Sequence, residues 1–178
     1  RELVLQIFSV LKKVLQPFYW IVPGVLSGGE KRKSEKARLR KGVSILVATP
    51  GRLLDHLEMT SAFSIRPLKW FVLDEADRLL DLGFEKTISR ILKQIDDHMQ
   101  QYAIVDNTRA ANFQTRQNVL CSATLREDVE RLACISLSAP YYVDISKLEA
   151  TLEKNNFDND NFDNDSFDND SFDNDSFD

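Results

Sequence analysis

The chain has 178 residues with 28 acidic and 23 basic side chains, which give a formal net charge of −5. This length supports one domain but not two, and a body of about 150 residues can bury roughly 70% of its unfolded surface. Nine of the acids and none of the bases lie in residues 156–178, so the rest of the chain has nineteen acids and a net charge of +4. We therefore expect a mildly basic body, for which the overall charge is a poor guide to binding partners.

Cysteine and histidine are too sparse to support a disulfide framework or a metal centre. The two cysteines form no CxxC pair and lie in apolar surroundings, so we expect buried thiols in a reducing compartment. We expect the two histidines, His56 and His98, to be ordinary surface or helix residues. No apolar stretch is long enough to cross a membrane and no signal peptide is evident, which predicts a soluble intracellular protein without a membrane partner.

The first elements are a helix, a short strand and a charged helix. Residues 1–15 carry apolar side chains at helical spacing, and Pro17 ends that helix. Because the chain starts within this pattern, we expect it to be a fragment. A strand is confined to residues 25–27, since proline is poorly tolerated within a central strand. Residues 30–41 predict a solvated helix that Gly42 closes.

The stretch from Gly24 to Lys31 has the outer glycine spacing of a phosphate-binding loop. Such a loop needs a lysine after its second glycine, and that lysine is followed by Ser or Thr. Glu30 takes the lysine position and would repel phosphate, so we reject this stretch as a nucleotide loop.

A second strand, residues 44–48, leads directly into a helix. Thr49 can cap that helix and Pro50 suits its first position, which leaves the N–H groups of Gly51 and Arg52 open near a guanidinium. Such an arrangement can bind an anion. An ordinary strand-to-helix turn is the alternative.

The third apolar run, residues 70–73, ends on the acids Asp74, Glu75 and Asp77. Its lack of a helical period predicts a strand buried on both faces of a parallel sheet, and ligands bind beyond the carboxyl ends of such strands. In a nucleoside triphosphate site, Asp74 could hold Mg²⁺ through water and Glu75 could activate the attacking water. The alternative is that these acids only favour the first turn of the next helix.

The remaining elements continue the alternation of strands and helices, which predicts a doubly wound α/β domain with a parallel sheet. Hydroxyls of Ser122 and Thr124 follow the next strand and could bond a neighbouring carboxylate, for which Asp77 is the natural partner. The predicted elements are helices at 78–84, 87–95 and 127–137, a surface insertion at 96–117, and strands at 119–121 and 141–145. From Asn156 a five-residue repeat of NFDND or SFDND predicts disorder, and we take 149–178 as a disordered acidic tail.

Three short motifs, read in order, carry a family resemblance: Thr49-Pro50-Gly51-Arg52, Asp74-Glu75-Ala76-Asp77 and Ser122-Ala123-Thr124. With them the chain resembles the DEAD-box RNA helicases over about residues 1–148. Arg1-Glu2-Leu3 with Gln6 is similar to the end of the family's PTREL segment, and Gly28-Gly29 is similar to its glycine pair. Residues 30–42 and the insertion are most similar to a nucleolar branch that assists assembly of the large ribosomal subunit.

The resemblance implies an N-terminally truncated first RecA-like domain of an ATP-dependent RNA helicase with ATP and Mg²⁺ as cofactors. Asp74 would hold Mg²⁺ through water and Glu75 would activate the hydrolytic water, while Asp77 would couple through Ser122 and Thr124 to bound RNA. Largely sequence-independent contacts to RNA, expected to be pre-ribosomal RNA in the nucleolus, are implied along one backbone track. The residues of that track are Arg1, Gly28, Gly29, Thr49, Pro50, Gly51 and Arg52.

The sequence also departs from the family pattern. It contains no GxxxxGK[ST] loop, no adenine-reading glutamine motif and no second RecA-like domain. We therefore predict that these 178 residues alone are inactive as an ATPase and marginally stable, since removing a central strand exposes its neighbours. The alternatives are a shortened, non-catalytic RNA-binding or scaffold protein and, less compatible with the three motifs together, a DNA helicase or an unrelated P-loop ATPase.

Overall fold

A computed structural model describes residues 1–65, 68–105 and 116–144, and strands alternate with helices along them as predicted. The chain divides into two compact units, 1–139 and 140–178. Residues 140–144 contain no helix or strand, so the predicted strand at 141–145 is wrong for 141–144, while Ile145 lies outside the described residues. The elements are α1 (Glu2–Val14), β1 (Pro23–Leu26), α2 (Arg32–Lys41), β2 (Ile45–Ala48), α3 (Pro50–Met59), β3 (Trp70–Leu73), α4 (Ala76–Asp81), α5 (Glu85–Val105), β4 (Gln117–Leu120) and α6 (Glu127–Ser136).

The strands form two parallel pairs, β1 with β2 and β3 with β4. Leu26 is in register with Ala48, and Leu73 is in register with Leu120. The predicted parallel α/β class is therefore confirmed. Because paired parallel strands end at the same edge, each pair brings two of the sequence motifs side by side.

The main core lies between β3 and the helices α3, α5 and α6. Phe71 and Leu73 point into it from the strand, and the helices supply residues that solvent hardly reaches. The most deeply buried helical members are Ile88, Ile91, Ile95, Val129 and Leu132.

The other face of β3 is open, which corrects the expectation of a strand buried on both faces. Trp70 is 59% exposed and Val72 is 55% exposed, whereas Phe71 and Leu73 are buried. Successive side chains of a strand point to opposite faces, and the described residues cover only one of them.

Two sequence expectations about burial were wrong. The charged helix α2 is not fully solvated, because Glu35 and Leu39 are buried on its inner side. His56 is a helix residue, one of the two expected alternatives, and it is buried on α3. Cys121 and Cys134 are free but exposed, since Cys121 follows the end of β4 and Cys134 lies on the outer side of α6.

Three element boundaries also differ from the expectation. Pro23 lies within β1 as its first residue, a strand position that needs no ladder hydrogen bond from its nitrogen. Helix α5 continues through Val105, so the first ten residues of the predicted insertion at 96–117 are helical, and β4 begins at Gln117. Ile95 and Met99 pack against the core at helical spacing, which extends the helix beyond the expected end.

Candidate active site and nucleic-acid interface

Backbone hydrogen bonds tie the acids after β3 to the segment after β4. The Cys121 N–H donates to the Leu73 carbonyl at 2.8 Å, and the Ala76 N–H donates to the Cys121 carbonyl at 3.0 Å. Ala76 is fully buried at this junction. The ladder of backbone hydrogen bonds thus continues past the strand ends. Cys121 positions the acidic segment through its backbone, so the identity of its side chain gave no signal of this role in the sequence.

Glu75 adopts a conformation that is unfavourable for a residue with a side chain. Its φ of 51° and ψ of 54° lie in the left-handed region, at the residue that precedes α4. Its Oε2 atom is buried and receives no hydrogen bond from the described residues, although Arg78 Nη1 lies 3.5 Å away. Strain and an unsatisfied oxygen at one residue are typical of functional positions.

Asp74 lies beside this strained residue and faces solvent. Its Oδ1 accepts a hydrogen bond from the Glu75 N–H at 3.0 Å. The two carboxylates therefore differ in environment: one is fixed and exposed, and the other is partly enclosed with an unsatisfied oxygen.

Asp77 and Thr124 meet across the two strand ends, as the sequence predicts. The Thr124 hydroxyl donates to Asp77 Oδ2 at 3.2 Å. Ser122 shapes the same loop, since its hydroxyl donates to the Thr124 carbonyl at 2.8 Å. Partial desolvation tends to raise the pKa of Asp77, but hydrogen bonds, chiefly from the Arg78 N–H and the Thr124 hydroxyl, lower this pKa below its ordinary value.

Arg126 adds a second link between these two segments that the sequence analysis did not identify. Its Nη2 lies 2.8 Å from Asp81 Oδ1 and 3.5 Å from the carbonyl oxygen of Asp77. The hydrogen bond to Asp81 and the charges of Asp128 and Asp81 raise the pKa of Arg126. Arg126 lies two residues after the Ser-Ala-Thr motif. Its contact with the end of α4 depends on the tertiary fold, so the sequence gave no signal of it.

A cleft of about 470 Å³ lies where β1 and β2 end. It brings together four of the residues predicted to follow an RNA backbone, Gly28, Thr49, Gly51 and Arg52. Its other lining residues are Arg32, Leu54, Asp55 and Glu58.

Thr49 and Pro50 occupy the predicted positions at the start of α3. Thr49 is the N-cap residue, and its N–H donates to the Leu26 carbonyl at 3.0 Å, whereas Pro50 is the first helical residue. The predicted side-chain cap is absent, because the Thr49 hydroxyl makes no hydrogen bond to the first turn. The first-turn N–H groups therefore lack a side-chain acceptor from the cap residue, and such groups favour anions.

Arg1 and Gly29 are also neighbours. Gly29 has a φ of 108°, and a Cβ atom built on it would lie only 2.2 Å from Arg1 Nη2. The positive φ favours glycine at this position. The structure thus places Arg1 against the glycine pair that follows β1.

Arg52 differs from the expectation of a guanidinium directed at an anion. Its side chain is 16% exposed, with Nε 3.5 Å from Glu35 Oε2 and Nη1 3.7 Å from Asp55 Oδ2. Its Nη2 also lies 3.5 Å from the carbonyl oxygen of Glu30. Arg52 lines the cleft, but acids of α2 and α3 hold its guanidinium.

The acidic pair fits a divalent cation bound mainly through water. No group of three or more His, Cys, Asp and Glu side chains suited to direct metal ligation occurs within residues 1–65, 68–105 and 116–144. Mg²⁺ keeps several waters and often uses only one or two carboxylates, which suits the exposed Asp74 beside the unsatisfied oxygen of Glu75.

Within residues 1–65, 68–105 and 116–144, no helix is long and apolar enough to cross a membrane.

Comparison with known proteins decides the family. A sequence profile described as DEAD/DEAH box helicase matches residues 1–132. The chain belongs to this family. Its Asp-Glu-Ala-Asp motif is the segment that follows β3, and the Ser-Ala-Thr segment bonded to it follows β4.

The relatives of this DEAD/DEAH box chain are much longer than the matched segment. Over 156 residues it is 54% identical to the human protein named ATP-dependent DNA helicase DDX31, a match that covers 88% of the chain and 16% of the relative. It is 49% identical over 145 residues to the Candida albicans protein named ATP-dependent RNA helicase DBP7, covering 82% and 20% respectively. The chain therefore spans a fifth or less of these two relatives.

Solved structures confirm the RecA-like fold of the DEAD-box class. The yeast DEAD-box splicing factor Prp28 is 31% identical with a TM-score of 0.65, over 78% of this chain and 29% of that one. A structure of Mss116p bound to single-stranded RNA and AMP-PNP is also 31% identical, with a TM-score of 0.62, over 77% and 26%.

Proposed function

We propose that the chain is part of the first RecA-like domain of an ATP-dependent RNA helicase, in which RNA-stimulated ATP hydrolysis drives local duplex unwinding. The observation that carries this proposal is the 3.2 Å hydrogen bond from Thr124 to Asp77. It joins the acidic motif to the segment after the neighbouring strand, so a conformational change in one segment would alter the position of the other. Family membership and the names of several relatives support the same activity.

The catalytic roles follow from the different environments of the two acids. Asp74, exposed and fixed by the Glu75 N–H, would hold Mg²⁺ through water. Glu75, with a buried oxygen that lacks a hydrogen bond, would accept the proton of the attacking water. When bound, Mg²⁺ supplies positive charge that stabilises the phosphate oxygens during transfer. Asp77, Ser122 and Thr124 would transmit the RNA-bound state to this pair.

The nucleic-acid contacts would lie in the cleft at the ends of β1 and β2. The open first turn of α3 and the glycine pair would bind phosphate and sugar, which predicts little dependence on base sequence. RNA is favoured over DNA because several relatives are named RNA helicases and the Mss116p structure holds single-stranded RNA. The human relative is named a DNA helicase, so both polymers belong in the test.

Fluorescence anisotropy with labelled U10 RNA and dT10 DNA tests the cleft. Thr49→Val removes a hydroxyl that plays no part in the helix cap, so it should weaken RNA binding while leaving thermal stability unchanged. Thr87→Val on α5 makes the same change away from the cleft lining and should bind like the unsubstituted chain. Equal affinities for the two variants, or a preference for dT10, would contradict the RNA assignment.

A chimera tests the catalytic roles. Residues 1–132 would replace the corresponding segment of the Candida albicans relative, whose 49% identity makes the exchange conservative. Glu75→Gln in the chimera should lower RNA-stimulated phosphate release by about 100-fold or more, the usual loss for a general base. RNA affinity should persist, and Glu85→Gln at the start of α5 is the matched control. Full hydrolysis with Gln at position 75 would contradict the role of Glu75 as general base, whereas a chimera that is inactive with Glu75 in place would favour the non-catalytic RNA-binding or scaffold alternative.

We further propose that the whole protein acts on pre-ribosomal RNA in the nucleolus. The support is the similarity of residues 30–42 to the branch that assists large-subunit assembly. Immunoprecipitation of the tagged protein should enrich large-subunit precursor RNA over messenger RNA, and equal recovery of both would contradict this assignment.

A further inference from the structure

Three polar side chains that the proposed function does not use form a buried chain of contacts between α2 and the end of α3. Glu35 Oε2 lies 2.9 Å from His56 Nε2, and His56 Nδ1 lies 3.0 Å from Thr60 Oγ1. Their exposed fractions are 0%, 2% and 6%.

A carboxylate as deeply buried as Glu35 needs a cation, and the nearby cation is Arg52. Burial of an ionised carboxylate is strongly unfavourable unless it is paired and hydrogen-bonded. Arg52 Nε lies 3.5 Å from the same oxygen that contacts His56. The second oxygen, Oε1, is buried without a hydrogen bond from the described residues, so Glu35 depends on these few contacts.

Arg52 lies in a small network of opposite charges. Asp55 Oδ2 lies 3.7 Å from Arg52 and 2.7 Å from Arg32, so two acids face two arginines. His56 contacts Glu35 through Nε2 and Thr60 through Nδ1, so both ring nitrogens have a partner. His56 thereby fixes the direction of the carboxylate that faces Arg52.

We propose that Glu35 is a positioning residue that acts through Arg52 to set the first turn of α3 in the nucleic-acid cleft. Arg52 is the third residue of α3 and also reaches the carbonyl oxygen of Glu30, in the loop that follows the glycine pair. Its guanidinium therefore connects both sides of the cleft, and the buried carboxylate of α2 holds it there. This inference rests on the proposed function, because it assigns the residue that arranges the same cleft.

A double-mutant cycle with U10 RNA tests the mechanism in the full 178-residue chain. Glu35→Gln keeps the side-chain volume and an acceptor for His56 but removes the charge that faces Arg52. Glu35→Gln and Arg52→Gln should each weaken RNA binding by about tenfold, the effect of one lost charge-assisted contact. The double variant should also lose only about tenfold, because the two residues act as one unit. Glu127→Gln, an exposed acid on α6, is the matched control.

Two results would overturn the inference. Losses that multiply to about a hundredfold would mean that the residues act independently, and an unchanged affinity for Glu35→Gln would mean that the buried charge serves stability only. Urea unfolding of each variant separates lost binding from lost folding.

Nuclear magnetic resonance of the Arg52 Nε–H provides a readout without RNA. Its chemical shift should change in Glu35→Gln, because the carboxylate lies 3.5 Å from Nε in the unsubstituted chain. An unchanged shift would overturn the positioning inference by itself. Failure of the unsubstituted chain to bind U10 would instead overturn the proposed function and the inference that rests on it.

Discussion

Replacing Glu75 with glycine should make the chain more stable, although Glu75 is the expected general base. A residue with a Cβ in the left-handed region loses about 1–2 kcal/mol, and glycine relieves this strain. The greater freedom of glycine in the unfolded chain offsets roughly 0.4–1 kcal/mol of that gain. Removal of the buried, unsatisfied Oε2 adds about 1 kcal/mol, the lower end of the usual range because the side chain is 37% exposed.

The expected net gain for Glu75→Gly is about 1–2 kcal/mol, which corresponds to a rise in melting temperature of roughly 2–8 °C. Urea unfolding followed by far-ultraviolet circular dichroism measures the free energy, and thermal unfolding measures the temperature. Glu75→Gln retains the backbone strain and should differ from the unsubstituted chain by less than about 0.5 kcal/mol. Ala139, with a φ of 49°, is a second control, because Ala139→Gly relieves strain without removing a buried oxygen.

A Glu75→Gly variant that is no more stable than the unsubstituted chain would refute this reasoning. It would mean that the left-handed conformation is relaxed at this position or that Arg78 satisfies Oε2. The expected result would instead identify Glu75 as a residue kept at a cost in stability, as is common at active sites.

Three further predictions address packing, pH and activity. Gly24→Ala should destabilise the chain by about 1–3 kcal/mol in urea unfolding, because the new Cβ would lie 2.7 Å from Val43 Cγ1; an unchanged midpoint would contradict the packing of β1. The pKa of Asp77 is lower in the folded chain than its ordinary value of 3.8, so near that pH the unfolded chain binds more protons. The contribution of ionised Asp77 to the free energy of unfolding is therefore complete above pH 3.8. It disappears as the pH falls through the pKa of the folded chain. The destabilisation by Thr124→Val should therefore shrink in acid, and a loss that is constant with pH would argue against the bond to Asp77. The unsubstituted chain should release no phosphate from ATP above background with or without RNA, because it contains no lysine phosphate loop, and RNA-stimulated release would refute this expectation.

The sequence predicts the elements around the site well because local signals mark them strongly. Trp70–Leu73 is an uninterrupted apolar run that ends on acids, and Pro50 after Thr49 marks the start of a helix. The contact between Asp77 and Thr124 is also predictable, because parallel neighbours end at one edge. These features depend on the strand ends alone.

Features that depend on tertiary contacts are not predictable in the same way. Glu35 lies in a segment so rich in charge that its burial has no sequence signal, and its partner His56 is 21 residues away. The link between Arg126 and Asp81 depends on the path of the loop after β4. The left-handed conformation of Glu75 lies next to Ala76, whose N–H donates to the Cys121 carbonyl across the two strand ends, a contact that the local sequence does not signal.

The most direct test of the account is to map RNA onto the backbone amides of the chain by nuclear magnetic resonance. A titration of the ¹⁵N-labelled 178-residue chain with U10 RNA should shift the amide signals of the cleft and of the glycine pair, Gly28, Gly29, Gly51 and Arg52. Signals from the outer residues of α5 and α6, such as Lys93 and Arg131, should stay in place. Shifts confined to α5 and α6, with the cleft unchanged, would contradict the proposed RNA track.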